Sequence, residues 1–307
     1  MTLLESVADW VISRLPHNKS DANAVAELRQ KHPGELLALY FNWTERLVPA
    51  EPRQVMRSME IVNNTMSINH KSVVDEIIND IEKGSTLTKY LSDRVCCGFD
   101  LPKKRKKKDL KQFEHLDLLL NEWGIYHFHL STQVTPSGFV ERGNPLLFLM
   151  FRPSKAYFLD IKTHFDFEDE ALARIAISNW PNDNLFRQLE GIKGHRDSNP
   201  YTTSDRKALR KAGIASFIQI DGNIFIPAKG GITNAGISVQ SVRSANHIMR
   251  ELKQFEDRIS KDNTEIIKFI NKHGGTSGEI LQFKFEWFRN GFGVIETTSG
   301  VPIGFQN

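Results

Sequence analysis

Six consecutive basic residues, Lys103, Lys104, Arg105, Lys106, Lys107 and Lys108, form a block that an apolar core does not accept, and the pattern of the chain changes across it. Residues 1–102 carry 11 basic and 14 acidic side chains, a net of −3. Because the 307-residue chain has a net charge of +3, residues 109–307 balance to zero and the excess sits in this run. Such a block is a solvated linker or a contact for phosphate polyanions, and the two roles are compatible. With 40% hydrophobic and 25% charged residues, the composition excludes disorder and collagen-like structure. No stretch approaches the ~18 consecutive apolar residues of a membrane helix, so no membrane partner is expected. The opening Met-Thr-Leu-Leu-Glu-Ser lacks the basic and apolar regions of a signal peptide, which predicts a cytoplasmic location. Cys96 and Cys97 are adjacent, which predicts reduced thiols rather than a disulfide framework.

Before the basic run, apolar residues recur at three- and four-residue spacing over residues 3–15, 22–29, 35–41, 52–63 and 72–83, broken by Pro16 and Pro33-Gly34, with Gly84 as a helix stop. After it, a helical stripe over 109–122 ends at Trp123-Gly124, and residues 125–130 alternate as a strand. Residues 146–151 and 156–162 form a hairpin, helical spacing returns over 168–177, and 181–199 reads as polar and irregular. Residues 204–212 form a short basic helix, and 214–220 and 224–227 a hairpin across Asp221-Gly222-Asn223. Two more helices, 239–260 and 265–272, precede strands at 282–288, 292–296 and 301–305. The predicted class is α+β: a helical partner-binding or regulatory domain over 1–100, a basic linker over 101–108, and a mainly antiparallel sheet domain with packed helices over 109–307.

The strongest chemical constellation is His127-Phe-His129 with Arg142, Arg152, Tyr157 and His164. Residues two apart on a strand share a face, so both imidazoles project together while Tyr126, Phe128 and Leu130 turn into a core. The following strands bring Arg142 and His164 to the same sheet. Two proton carriers and a fixed cation are what metal-independent RNA cleavage needs: a base for the 2′-OH, an acid for the 5′-oxygen and a positive group for the phosphorane. Two other readings stand beside it: a three-histidine metal set, and histidines satisfied structurally by backbone or carboxylate partners. Asp160-Ile161-Lys162, with Asp117 or Glu141 upstream, gives a weak nuclease-like D-x-K triplet.

Gly230, Gly231 and Gly236 lead into the long helix with Ser238 at its start, either a phosphate cradle or a tight loop with a serine cap. The loop matches neither GxxxxGK[ST] nor GxGxxG, so no nucleotide cofactor is expected. Arg206 and Lys207, with Arg210 and Lys211, offer a second cationic surface.

The stretch Leu116-Asp117-Leu-Leu-Leu-Asn-Glu-Trp123-Gly-Ile-Tyr-His127-Phe-His129-Leu, followed by Arg142, Leu146-Leu-Phe and Tyr157-Phe-Leu-Asp-Ile-Lys-Thr-His164, resembles a bacterial family bearing a W-G-I-H-H-L-H-L signature. In outline it also resembles RelE/ParE-like toxins, small ribonucleases that place basic and imidazole groups on an antiparallel sheet. This likeness covers residues 108–165, about a fifth of the chain. It implies an endoribonuclease of toxin or phage-defence type, with His127, His129, Arg142 and His164 as acid, base and phosphate-binding residues. It also implies RNA as partner and an antitoxin or other protein on the helical half. The alternative is a nucleic-acid-binding or assembly protein with structural histidines.

Overall fold

The computed structural model describes residues 2–101, 116–167, 170–194, 201–276 and 280–305. The basic run Lys103–Lys108 and most of the linker expected at 101–108 lie outside the described residues. In chain order the elements are α1 (Leu3–Arg14), α2 (Ala22–Gln30), α3 (Pro33–Thr44), β1 (Gln54–Arg57), α4 (Met59–Asn63), α5 (Thr65–Asn69), α6 (Lys71–Lys83), α7 (Leu118–Trp123), β2 (Tyr126–His129), β3 (Leu146–Phe151) and β4 (Lys155–Lys162). They continue as α8 (Glu170–Asn179), β5 (Phe186–Lys193), α9 (Thr203–Lys211), β6 (Ile218–Ile220), β7 (Asn223–Pro227), α10 (Val239–Lys261), α11 (Thr264–Lys272), β8 (Phe283–Phe288), β9 (Gly291–Glu296) and β10 (Pro302–Gly304). The protein is α+β.

Contacts group the chain into two units, each discontinuous: residues 1–41, 98–101 and 241–307, and residues 42–97 and 102–240. The grouping differs from a cut at the basic run, because residues 42–97, expected in the helical half, belong with the larger sheet.

In the first unit the antiparallel sheet β10-β9-β8 carries an aromatic core. Phe255 of α10 meets Phe283 and Phe305 edge-on at 5.0 and 5.4 Å, and Trp10 of α1 meets Phe285 at 5.2 Å. Two polar contacts fix α1 on β8: the amide of Phe285 donates to Ser6 Oγ at 2.8 Å, and Trp10 Nε1 donates to Glu286 at 2.9 Å. A Thr2–Glu5 capping box starts α1, satisfying amides that the first helical turn leaves open.

In the second unit a four-stranded sheet runs in the order β1-β4-β3-β2. One face packs Tyr126, Phe128, Leu147, Leu149 and Phe158 against α6. The other packs Leu146, Phe148, Met150, Tyr157 and Leu159 against α8. Burial on both faces explains why 146–151 is a continuous apolar run rather than an alternating one. A second, antiparallel sheet, β5-β7-β6, lies in the same unit.

Two local expectations are corrected. Residues 52–63 are not one helix: β1 occupies Gln54–Arg57, pairs in parallel with β4, and only then does α4 begin at its Ser58 cap. Arg53 holds this stretch extended by donating to the carbonyls of Pro49, Glu51 and Arg152 at 2.8, 2.9 and 3.1 Å, so tertiary pairing overrides the local spacing. Residues 181–199 are not irregular throughout, because β5 pairs with β7 despite its exposed, polar sequence.

Helix α9 is held by two buried arginines. Arg206 pairs with Glu170 of α8 and donates to Ser216 Oγ at 3.0 Å and to the carbonyl of Phe217 at 3.1 Å. Arg210 pairs with Glu122 of α7 and donates to the carbonyl of Phe167 at 2.7 Å. Removing Arg206 leaves the buried Glu170 only its pairing with the part-exposed Arg174, so Arg206→Met is expected to destabilise the protein by about 3 kcal/mol, with Arg206→Met/Glu170→Met recovering part of that loss. Urea unfolding of the three proteins checks this; a double variant less stable than the single one contradicts it.

Candidate functional site

The placement of the histidines follows from chain geometry. Gly124 caps α7 with φ +73, a left-handed turn that sends the chain back alongside the helix. Counting back from Gly124, seven helical residues at 1.5 Å rise span roughly 10 Å, and three strand residues forward span about the same. Asp117 is thereby brought level with His127. Its Oδ1 caps α7 by accepting the amide of Leu120 at 3.0 Å, and its Oδ2 lies 3.5 Å from His127 Nδ1, within ion-pair range.

On β2, His127 and His129 share a face, with ring centroids 6.1 Å apart. His129 lies opposite Leu146, which lies opposite Lys162, so the turn following β4 delivers His164 to the same row. The His129 and His164 rings are 5.8 Å apart. That turn is fixed by Thr163, whose amide and hydroxyl both donate to Asp166 Oδ2 at 2.8 Å. Asn144 Oδ1 accepts from the amide and ring Nδ1 of His164 at 3.2 and 2.5 Å, directing the other ring nitrogen away. Phe167 packs against His127 at 4.8 Å and His164 at 5.8 Å.

A cavity of about 390 Å³ opens on this row, lined by the three histidines, Asp117, Phe167, Arg94, Arg142, Lys207, Lys211 and a set of leucines. Arg142 pairs with Asp93 at 2.6 Å and donates to Ser92 Oγ. The expected group of His127, His129, Arg142 and His164 is therefore assembled, and Asp117, Arg94 and Phe167 join it. The sequence offers Asp117 only as an upstream acid for the D-x-K triplet; nothing local marks its cap of α7 or its contact with His127.

Burial and positive neighbours hold all three imidazoles below the usual histidine range. His129 is pushed down to about 4, first by burial and then by His127, His164 and Arg142, with a hydrogen bond to the Gly143 backbone acting the other way. Burial also lowers His127, against the opposing pull of Asp117, and lowers His164, aided by His127 and Arg142. Nδ1 of His127 and of His129 are buried without a hydrogen-bond partner. Burial and these neighbours thus favour the neutral form of the imidazoles along the row. Among the described residues, no group of three or more His, Cys, Asp or Glu side chains is arranged to hold a metal ion.

Three other expected sites fall elsewhere. Tyr157 is on the same sheet face but two residues along the strands from the level of His127 and four from that of His129, roughly 7 and 13 Å, and two strands away from both. Its phenol donates to Asp183 at 2.9 Å and is pushed up to about 12 by burial and that carboxylate, so it stays protonated and outside the group. Arg206 is 2% exposed and committed to Glu170, which removes it from any cationic surface, whereas Lys207 is exposed and lines the cavity. Asp160 of the D-x-K triplet is buried and accepts from Asn64 at 2.6 Å.

The glycine loop closes on itself: Gly230 donates to Pro227, Thr233 to Ile237, Gly236 to Thr233 and Val239 to Gly231. The amide of Ser238 donates to Asn42 Oδ1 at 3.0 Å and its hydroxyl to Glu45 Oε2 at 3.1 Å. A phosphate at this helix start would meet a carboxylate and amides already in use, so Gly230, Gly231, Gly236 and Ser238 form a structural turn.

No family model matches the chain, and no solved structure matches it. A stretch of 136 residues is 25% identical to the UDP-N-acetylglucosamine–peptide N-acetylglucosaminyltransferase stabilizing protein GtfB of Streptococcus agalactiae, covering 41% of this chain. The match spans only 29% of the relative's length. No helix among the described residues is long and apolar enough to cross a membrane.

The depressed His129 makes stability depend on pH. The unfolded chain takes up this proton as pH falls through about 6.5, the folded protein only near 4, so the contribution is complete above 6.5 and is lost progressively between those values. Urea unfolding is expected to show lower stability at about pH 5 than at about pH 7.5, with a shallower slope in His129→Gln. Equal slopes in the two proteins would refute the assignment.

Proposed function

We propose that the chain is a metal-independent endoribonuclease of toxin or phage-defence type, acting in the cytoplasm. The observation that carries this reading is the convergence of three imidazoles and Arg142 on one cationic cavity, with Asp117 behind His127. His127 removes the 2′-OH proton, and Asp117 stabilises the imidazolium that forms. The 2′-oxygen attacks phosphorus, the bond to the 5′-oxygen breaks, and a 2′,3′-cyclic phosphate results. His164, the most exposed of the three, enters protonated and delivers its proton to the leaving 5′-oxygen. Arg142 balances the phosphorane charge. An incoming phosphodiester offsets the repulsion from Arg142 and favours the single protonation this scheme needs. Because both working histidines lie below their usual range, the rate maximum falls below neutral pH.

A second reading, a non-catalytic assembly protein, is favoured by the partial similarity to a protein named for stabilizing a glycosyltransferase. In that reading the histidines are structural, and a protein partner replaces RNA.

The discriminating experiment is cleavage of RNA by purified protein in EDTA. The ribonuclease reading predicts a cyclic phosphate product, no cleavage of a substrate lacking the 2′-OH, and losses of about 10²–10⁴-fold in His127→Ala and His164→Ala. Undiminished cleavage in both variants would reject the histidine site, and no cleavage by the folded wild type would reject the ribonuclease reading in favour of the assembly role.

A further inference from the structure

The cavity is stratified. Its most exposed lining residues are cationic or imidazole, namely Arg94, Arg142, His164, Lys207 and Lys211, while Leu116, Asp117, Leu118 and Phe167 are half-buried between them and the interior. Its buried lining combines leucines, with Leu91, Leu119 and Leu120 at 7, 2 and 1% exposure, and two arginines, Arg46 and Arg210, of which Arg210 is held by Glu122. His129 lies at floor level with 2% exposure, and His127 is only slightly more open, its side chain at 15%.

This layering constrains how a phosphodiester reaches the histidines. Phosphates of a double helix lie on the outside of a stiff rod whose bases are paired and stacked inward. Such a rod touches the rim but cannot lower a phosphate to His127 and His129. A strand with an unpaired nucleotide can, because its base leaves the stack and enters a pocket of its own. At about 390 Å³ the cavity falls at the small end of the ~300–1,000 Å³ range of small-ligand sites. The buried leucines suit the face of a base, and the rim cations suit the phosphates on either side of it.

Resting on the ribonuclease reading, we infer that the cavity accepts one unpaired nucleotide of single-stranded RNA, base on the leucine floor and phosphate on the histidine row, and that it excludes duplex. The exposed lysines of α9, one turn apart, hold a flanking phosphate, and the clamp of Arg206 and Arg210 keeps that helix in place. Selection is then set by depth rather than by base sequence.

Binding tests this separately from cleavage. A fluorescent 2′-O-methyl RNA, which lacks the attacking hydroxyl, is titrated with the full chain as a single strand and again after annealing to its complement. The single strand is expected to bind about tenfold tighter or more, the scale of one base contact. A nucleoside 3′-monophosphate is expected to displace it at a concentration about tenfold lower than ribose 5-phosphate, which carries the phosphate but no base. Equal affinity for strand and duplex, equal competition by the two phosphates, or no binding of the strand by the folded protein overturns the inference. Cleavage of paired and unpaired RNA at equal rates would overturn it while leaving the ribonuclease reading intact. Tight single-strand binding without any cleavage would sustain the pocket and reject the ribonuclease.

Discussion

Covering both faces of the β1-β4-β3-β2 sheet is the constraint on which the site depends. Apolar side chains fill most of each face; Asp160 is buried on β4, and at the end of β2 His127 and His129 stand on the α8 side. Hydrophobic residues there would simply extend the core. Imidazoles instead place nitrogen atoms where water is scarce, which disfavours their charged forms. The same burial brings Arg142 and His164 close enough to reinforce that effect. Proton affinity at this row is therefore a consequence of packing, and only secondarily of the residues' own chemistry.

The walls of the cavity are held by charge that is itself buried. Glu122 accepts from Ser216 at 3.0 Å through its amide, and from Arg210, linking α7, α9 and the approach to β6. Arg210 in turn lies over the Trp123 ring at 4.5 Å and fixes the carbonyl of Phe167. One ion pair thus ties the helix that carries the Asp117 cap to the segment that carries Phe167. With Glu170 and Arg206 forming the second clasp, α9 is fixed on its inner face while Lys207 and Lys211 stay on the outer one.

Much of this was legible in the residues. The alternation of 125–130 correctly separated the histidine face from the face of Tyr126 and Phe128, and the hairpin at 146–162 followed from turn residues between apolar runs, as did that at 214–227, whose first strand is shorter than expected and starts at Ile218. What was not legible depends on distant pairing. β1 has no alternation and exists because β4 offers a parallel edge; β5 is polar and exists because β7 pairs with it. Arg206 and Lys207 are neighbours of the same type, and only their positions on the helix decide that one is buried on Glu170 while the other faces solvent. Tyr157 shared the right face, but its distance along the strand was invisible without the register. The second contact of Asp117 needed the reversal at Gly124, whose rise could be estimated but whose direction could not.

The central claim is that packing favours the neutral form of the three imidazoles until an anion enters. Imidazole nitrogen chemical shifts, followed by NMR against pH with and without inorganic phosphate, test it most directly. The account predicts that His127, His129 and His164 all titrate below the ordinary histidine value of about 6.5, and that phosphate moves them upward. Titration of all three at the ordinary value, unmoved by phosphate, would contradict it.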